Sequence, residues 1–169
     1  MSRPAPEMPP EFEALVAEYY QSLYRFGFSL AKNEADASDL VQDTFLIWAR
    51  KGSGLRDQSK VKSWLFTTLY REFLRLRRRS VRQADLDPEE FDRELPAVES
   101  DTVNQLEAQD ALAALQEVDD IYREPLALFY LDDLSYKEIA ATLDIPIGTV
   151  MSRLSRGKAQ LKRFLERKV

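Results

Sequence analysis

Two small all-α domains joined by a flexible acidic linker are predicted for this chain, and three observations predict them. Apolar residues recur at helical spacing almost everywhere, and no strand-length alternation bounded by turns stands out. Residues 81–103 hold eight acidic side chains against two basic ones, with Pro88 and Pro96, a composition that cannot bury a core and reads as a solvated linker. The last third reads as two helices around a short turn, the second with a basic, hydrogen-bonding face.

The elements follow in order. Residues 1–10 (Ser2-Arg-Pro-Ala-Pro-Glu-Met-Pro-Pro10) form a proline-rich tail, expected to be disordered. Phe12, Leu15, Val16, Tyr19, Leu23, Phe26 and Leu30 mark an amphipathic helix over Glu11–Lys32. Asn33 is placed to cap a second helix, Glu34–Lys51, with Leu40, Val41, Phe45 and Trp48 inward. Glycines and small polar residues make 52–59 a loop, and a third helix spans about Lys60–Arg79. After the linker come helices at Asn104–Glu117, Ile121–Tyr130, Tyr136–Leu143 and Ile147–Arg167. Ser135 followed by Glu138 is a capping box, and Asp144-Ile-Pro146 ends one helix because the residue before proline disfavours helical geometry. The domain boundaries are therefore 11–80 and 104–169, with 81–103 between them.

Charge and composition narrow the function. The chain of 169 residues has no cysteine and no histidine, which removes disulfides, thiolate metal sites, thiol nucleophiles and imidazole chemistry together. No leader and no apolar run long enough to cross a membrane is evident, so a cytoplasmic address is expected. The net charge of −5 speaks against a polyanionic partner until its distribution is considered. Residues 71–82 carry six arginines and one glutamate, and 149–169 seven basic residues and one glutamate. A local field governs the docking of a polyanion on one face.

Three constellations carry candidate chemistry. In the last helix Ile147, Val150, Leu154, Gly157, Leu161 and Leu165 share one arc, while Thr149, Ser152, Arg153, Arg156, Gln160, Arg163 and Arg167 share another about 120° away. A recognition helix would bring Thr149, Ser152, Arg153 and Arg156 to base edges or phosphates, with Gln160 on the same arc. Lys158, Lys162 and Arg163 would hold the backbone. A helical hairpin with a solvated basic face is the plainer alternative. On the third helix Trp64, Thr68, Arg71, Arg75 and Arg78 form a stripe suited to phosphates and an unstacked base, although Trp64 is equally at home in a core. On the second helix Asp39, Gln42, Asp43 and Leu46 form a polar face that by itself is an ordinary solvated one. Its carboxylates have no third ligand or activated partner, and no glycine-rich phosphate cradle exists. Neither catalysis, a metal nor a cofactor is expected.

Taken together these residues resemble an extracytoplasmic-function sigma factor, over nearly the whole chain from Phe12 to Leu165. Leu23-Tyr-Arg-Phe26 and Asp39-Leu-Val-Gln-Asp-Thr-Phe-Leu-Ile-Trp48 resemble the first half of the family's region 2, and Val61-Lys-Ser-Trp-Leu-Phe66 with the arginine run its second half. Leu134-Ser-Tyr-Lys-Glu-Ile-Ala140 and Ile145-Pro-Ile-Gly-Thr-Val-Met-Ser-Arg-Leu154 resemble region 4. The resemblance implies a promoter-specificity subunit of bacterial core RNA polymerase. The face of Asp39, Gln42, Asp43 and Leu46 would dock on the β′ coiled coil. Residues 52–62, Lys62 included, with the Trp64, Thr68, Arg71, Arg75 and Arg78 stripe, would open the −10 element and capture a flipped base. Region 4 would bind the −35 duplex and the β flap, and the acidic linker would thread the polymerase cleft. Free members are commonly held by an anti-sigma factor. Arg71 and Arg75 stand where the family often has asparagine and aspartate, Met151 where it often has a basic residue, and Leu115-Gln116 where it often has Leu-Pro. Two rival readings are a polymerase-independent helix-turn-helix regulator and a sigma-like decoy for an anti-sigma factor. No additional dimerisation helix is expected to support the first, and no receiver domain is expected to accompany the second.

Overall fold

The computed structural model describes residues 10–51, 55, 57–84 and 103–167. Residues 1–9 of the proline-rich tail, 52–54 and 56 of the loop expected at 52–59, and 85–102 of the acidic linker lie outside them. Seven helices and no strand occur among the described residues: α1 (Pro10–Ala31), α2 (Glu34–Lys51), α3 (Val61–Ala84), α4 (Val103–Gln116), α5 (Asp120–Tyr130), α6 (Tyr136–Leu143) and α7 (Ile147–Arg167). The expected all-α architecture holds, and most helix bounds fall within a residue of expectation. The exception is α3, which runs on to Ala84 through a stretch assigned to the linker.

Local chemistry sets the helix ends. Lys32 takes a left-handed φ of 63°, and Asn33 then starts α2: its Oδ1 accepts from the Asp36 amide at 2.8 Å while its Nδ2 donates to the Asp36 carboxylate at 2.8 Å. Asp57 accepts from the Ser59 amide at 3.0 Å and nucleates a 3₁₀ turn, Gln58–Lys60, leading into α3. The capping box of α6 is complete, with Glu138 N donating to Ser135 Oγ at 3.2 Å and Ser135 N donating to Glu138 Oε2 at 2.8 Å. Asp144 adopts a left-handed conformation that ends α6, and the Pro146 carbonyl accepts from Thr149 N and Val150 N at 3.0 and 3.2 Å to begin α7.

Helices α1, α2 and α3 form an N-terminal bundle around Leu23, Phe26, Val41, Leu65, Phe66 and Leu69, with the Phe26 and Phe66 rings 5.5 Å apart. Helices α4 to α7 form a second bundle around Leu115, Leu126, Leu128, Ile139, Val150 and Leu154. The two bundles pack together through α3, which meets α6, and α1, which meets α4 and α5. At 100° per residue, α3 has three faces. One, through Val61, Leu65, Phe66 and Leu69, fills the N-terminal core. A second, through Thr67 and Tyr70, meets the C-terminal bundle, where Thr67 Oγ lies 3.1 Å from Thr142 Oγ and the Tyr70 hydroxyl donates to Glu124 at 2.9 Å. The third carries Arg71, Arg75 and Arg78 into solvent.

Close packing in the C-terminal bundle depends on Gly157. A Cβ there would lie 2.7 Å from Leu126 Cδ1 and 2.9 Å from Leu126 Cγ, and Leu126 is fully buried. At Gly148 a Cβ would meet nothing within 4 Å. Gly157→Val is therefore expected to destabilise the chain by about 1–3 kcal/mol through overpacking. Gly148→Ala should leave stability unchanged or raise it by up to about 1 kcal/mol through reduced backbone freedom. Chemical denaturation followed by circular dichroism separates the two.

Candidate nucleic-acid and polymerase-binding surfaces

On α2 the buried line Ala37, Leu40, Val41, Thr44 and Phe45 turns Asp39, Gln42, Asp43 and Leu46 outward together. All four are exposed, Leu46 at 50%. The face carries two carboxylates and one uncovered apolar side chain, without a compensating cation of its own.

On α3 the arginine stripe is exposed. Arg75 pairs with Glu72 at 3.3 Å and Arg78 Nε donates to the Leu74 carbonyl at 3.4 Å, while Arg71 is also exposed. Trp64 is half-buried, its ring edge-to-face with Trp48 at 5.1 Å, so its plane is held by the bundle rather than swinging free. Thr68 is placed otherwise than the stripe suggested. It is only 9% exposed: on the wheel it falls between Arg75 and Val61, and the packing of the bundle takes it to the core side. Lys62 is half-buried and faces the seam between the bundles, where its charge acts on Asp132.

On α7 the buried line runs Val150, Leu154 and Gly157. The outward face therefore centres on Gly148, Met151, Ser152, Ser155 and Arg156, with Lys162 and Arg163 further along, all exposed. This lies part of a turn away from the arc expected through Thr149, Arg153 and Gln160. Thr149 and Arg153 are half-buried, and Arg153 sits close enough to the seam for its charge to act on Tyr70. Gln160 is turned inward: its Oε1 accepts from Asp119 N at 3.1 Å and its Nε2 donates to the Asp119 carboxylate at 2.8 Å. Its amide thus closes the start of α5, where Asp119 makes no side-chain cap of its own. Lys158 is exposed, with its ammonium 5.3 Å from the Phe129 ring and 5.7 Å from that of Tyr130. Ser155 is not among the residues expected there, and Met151 is noted in the sequence only as a departure from the family's usual basic residue. A wheel centred on the smallest apolar residue, Gly157, would have pointed to them.

The seam has its own electrostatics. Burial, reinforced by the adjacent Glu124, raises the Tyr70 hydroxyl above its ordinary value. Burial also raises Glu124, against the opposing pull of the Tyr70 bond and of Arg77 and Arg123. Lys32 Nζ lies 3.7 Å from Asp120, which also pairs with buried Arg123. Asp132, in the turn between α5 and α6, is buried, and neither carboxylate oxygen has a hydrogen-bond partner among the described residues. Burial pushes it up to about 8, with Lys62 and Arg25 pulling down and Asp133 adding to the rise.

Two groups of findings place the chain among known proteins. Residues 15–83 match the sigma-70 region 2 family and residues 108–161 the sigma-70 region 4 family, so the two bundles are sigma regions 2 and 4 and the protein is of the sigma-70 class. It is 34% identical over 162 residues to the ECF RNA polymerase sigma factor SigE of Mycolicibacterium smegmatis, covering 92% of this chain and spanning 62% of that protein's length. It is 31% identical to SigM of Bacillus subtilis, over 89% of this chain and 93% of SigM. In structure it is similar to the sigma factor RpoE of Bartonella quintana, solved in complex with the anti-sigma factor NepR, with a TM-score of 0.81, 30% identity and coverage of 94% of this chain and 98% of that one. A match over almost the full length of both chains includes the relative placement of the two bundles. The chain belongs to the extracytoplasmic-function (ECF) sigma factors and is an alternative sigma factor, directing transcription initiation with RNA polymerase. Sigma factors bind polymerase and promoter DNA and are in general not enzymes. No helix among the described residues is long and apolar enough to cross a membrane.

Asp132 yields a pH prediction. Its folded value lies above the 3.8 of an ordinary aspartate, so between the two the folded chain holds a proton that the unfolded chain has released. Stability then falls as pH rises, at up to about 1.4 kcal/mol per pH unit, and below 3.8 the effect vanishes. Asp132→Asn should accordingly melt at higher temperature than the wild type at pH 7, the two converging at pH 4, in thermal denaturation across that range.

Proposed function

We propose that the three outward faces divide the work of promoter recognition. Asp39, Gln42, Asp43 and Leu46 dock region 2 on the β′ coiled coil of bacterial core polymerase. Arg71, Arg75 and Arg78, with Trp64, engage the −10 element, their guanidinium groups on phosphates and the indole beside an unstacked base. The N-terminal turns of α7 enter the major groove at the −35 element, with Ser152 and Arg156 foremost and Lys162 and Arg163 on the backbone. Tyr130, Leu161 and Leu165 line a shallow apolar groove that suits the β flap. The chain does this in the cytoplasm, joined to the nucleoid when bound to polymerase. The observation that carries the reading is that these faces lie on different helices and, half-buried Trp64 apart, are exposed, while other faces of α2, α3 and α7 are spent on packing.

The packed arrangement is the unengaged form. Lys62 and Arg153, both suited to DNA, face the seam between regions 2 and 4, and promoter binding separates the regions and frees them. The solved RpoE is in complex with an anti-sigma factor, and its shared arrangement supports a partner of that kind for this chain, one that holds the closed form.

Docking is tested with purified core polymerase. Asp43→Arg should weaken binding by tenfold or more, about 1.4 kcal/mol, in fluorescence anisotropy, with circular dichroism unchanged. Equal affinity would remove α2 from the interface. Opening is tested in a chain that has no cysteine of its own. Thr67→Cys with Thr142→Cys places two thiols where the hydroxyls lie 3.1 Å apart. Oxidation should suppress promoter-dependent initiation and reduction restore it; full activity of the oxidised pair would show that the regions need not part.

A further inference from the structure

The outward face of α7 is not wholly polar. Met151 is 54% exposed and Ile147 50%, and neither belongs to the apolar cluster that fills the bundle. They stand one turn apart, Ile147 at the first residue of the helix and Met151 beside Ser152 and Arg156 on the outward face. The Ser152 hydroxyl donates back to the Thr149 carbonyl at 3.3 Å, which reduces its freedom to search for a base. The side chains that project furthest from the front of the helix without an internal partner are therefore two apolar ones and one arginine.

In the major groove one feature answers an apolar side chain, the C5-methyl group of thymine. A thioether is flexible and polarisable and settles against such a group without a fixed geometry. Ile147 and Met151 are about 6 Å apart along the helix axis, less than two base-pair steps of about 3.4 Å, so the pair reaches thymines one or two steps apart. We propose that Met151, supported by Ile147, is a specificity-determining residue of the upstream contact and reads the methyl group of thymine in the duplex. The proposal rests on the reading that α7 enters the major groove.

The experiment uses the full chain with bacterial core polymerase. Bound duplexes are selected from a random library, and each thymine in the upstream footprint of the enriched sequence is replaced in turn by deoxyuridine, which keeps the pairing and deletes the methyl. Affinities are compared for wild type, Met151→Ala and Arg156→Ala by competition anisotropy. At one or more positions uracil should weaken wild-type binding about three- to tenfold, the scale of one buried methyl group, and Met151→Ala should bind the two duplexes equally. Wild type indifferent to every uracil, or Met151→Ala retaining full sensitivity, would overturn the methyl contact while loss of affinity in Arg156→Ala left α7 in the groove. If no upstream sequence is enriched and Arg156→Ala binds as wild type does, the groove reading fails and this inference fails with it.

Discussion

Helix α3 is the member on which the arrangement turns, and the bond between Tyr70 and Glu124 shows how. Both groups are largely withdrawn from water, and a buried carboxylate without a donor would cost more than a typical hydrogen bond returns. Tyr70 supplies that donor from the neighbouring region. Thr67 and Thr142 repeat the pattern with two hydroxyls, and Lys32 and Asp120 add a half-exposed ion pair of small net value. Each of these polar groups can exchange its partner for water at modest net cost, while the buried apolar side chains of the two regions form one continuous cluster.

Asp132 works against the same seam. Its carboxyl is buried without a hydrogen-bond partner among the described residues, and the cations that face it, Lys62 and Arg25, come from region 2. Separating the regions would return that carboxyl to water and release Lys62 at once. The apolar core runs continuously through both regions, so in the proposed opening the polar bonds of the seam and its one uncompensated acid are the parts that water can take over most readily.

The overall charge conceals the same division of labour. The chain carries a net −5, yet α3 presents a row of arginines and α7 an outward face of arginine and lysine, while α2 turns two carboxylates outward. A negative total limits indiscriminate adhesion to nucleic acid, while the local field of a face can still attract a partner of opposite charge. The same face of α7 carries Met151 and Ile147, so on the proposed reading attraction to phosphate and discrimination among bases rest on different side chains.

Much of this was legible in the sequence. Apolar spacing, the Asn33 cap, the Ser135–Glu138 box and the stop at Pro146 determined where most helices begin and end, the far end of α3 excepted, because those effects act within one turn of the chain. The capping residues do there what their chemistry requires whatever lies beyond. Tertiary structure alone decided which face of each helix was free. Thr68 lies on the wheel between the arginine stripe and the core, and only the approach of α1 and α2 assigns it to the core. Gln160 reads as a polar residue on a basic helix until Asp119, 41 positions away, claims both ends of its amide. Tyr70, Glu124 and Asp132 carry no local signal at all, since their environment is made by segments distant in sequence. Periodicity measures the angle between residues on one helix; burial depends on which neighbour arrives, and that is settled only when the bundles close.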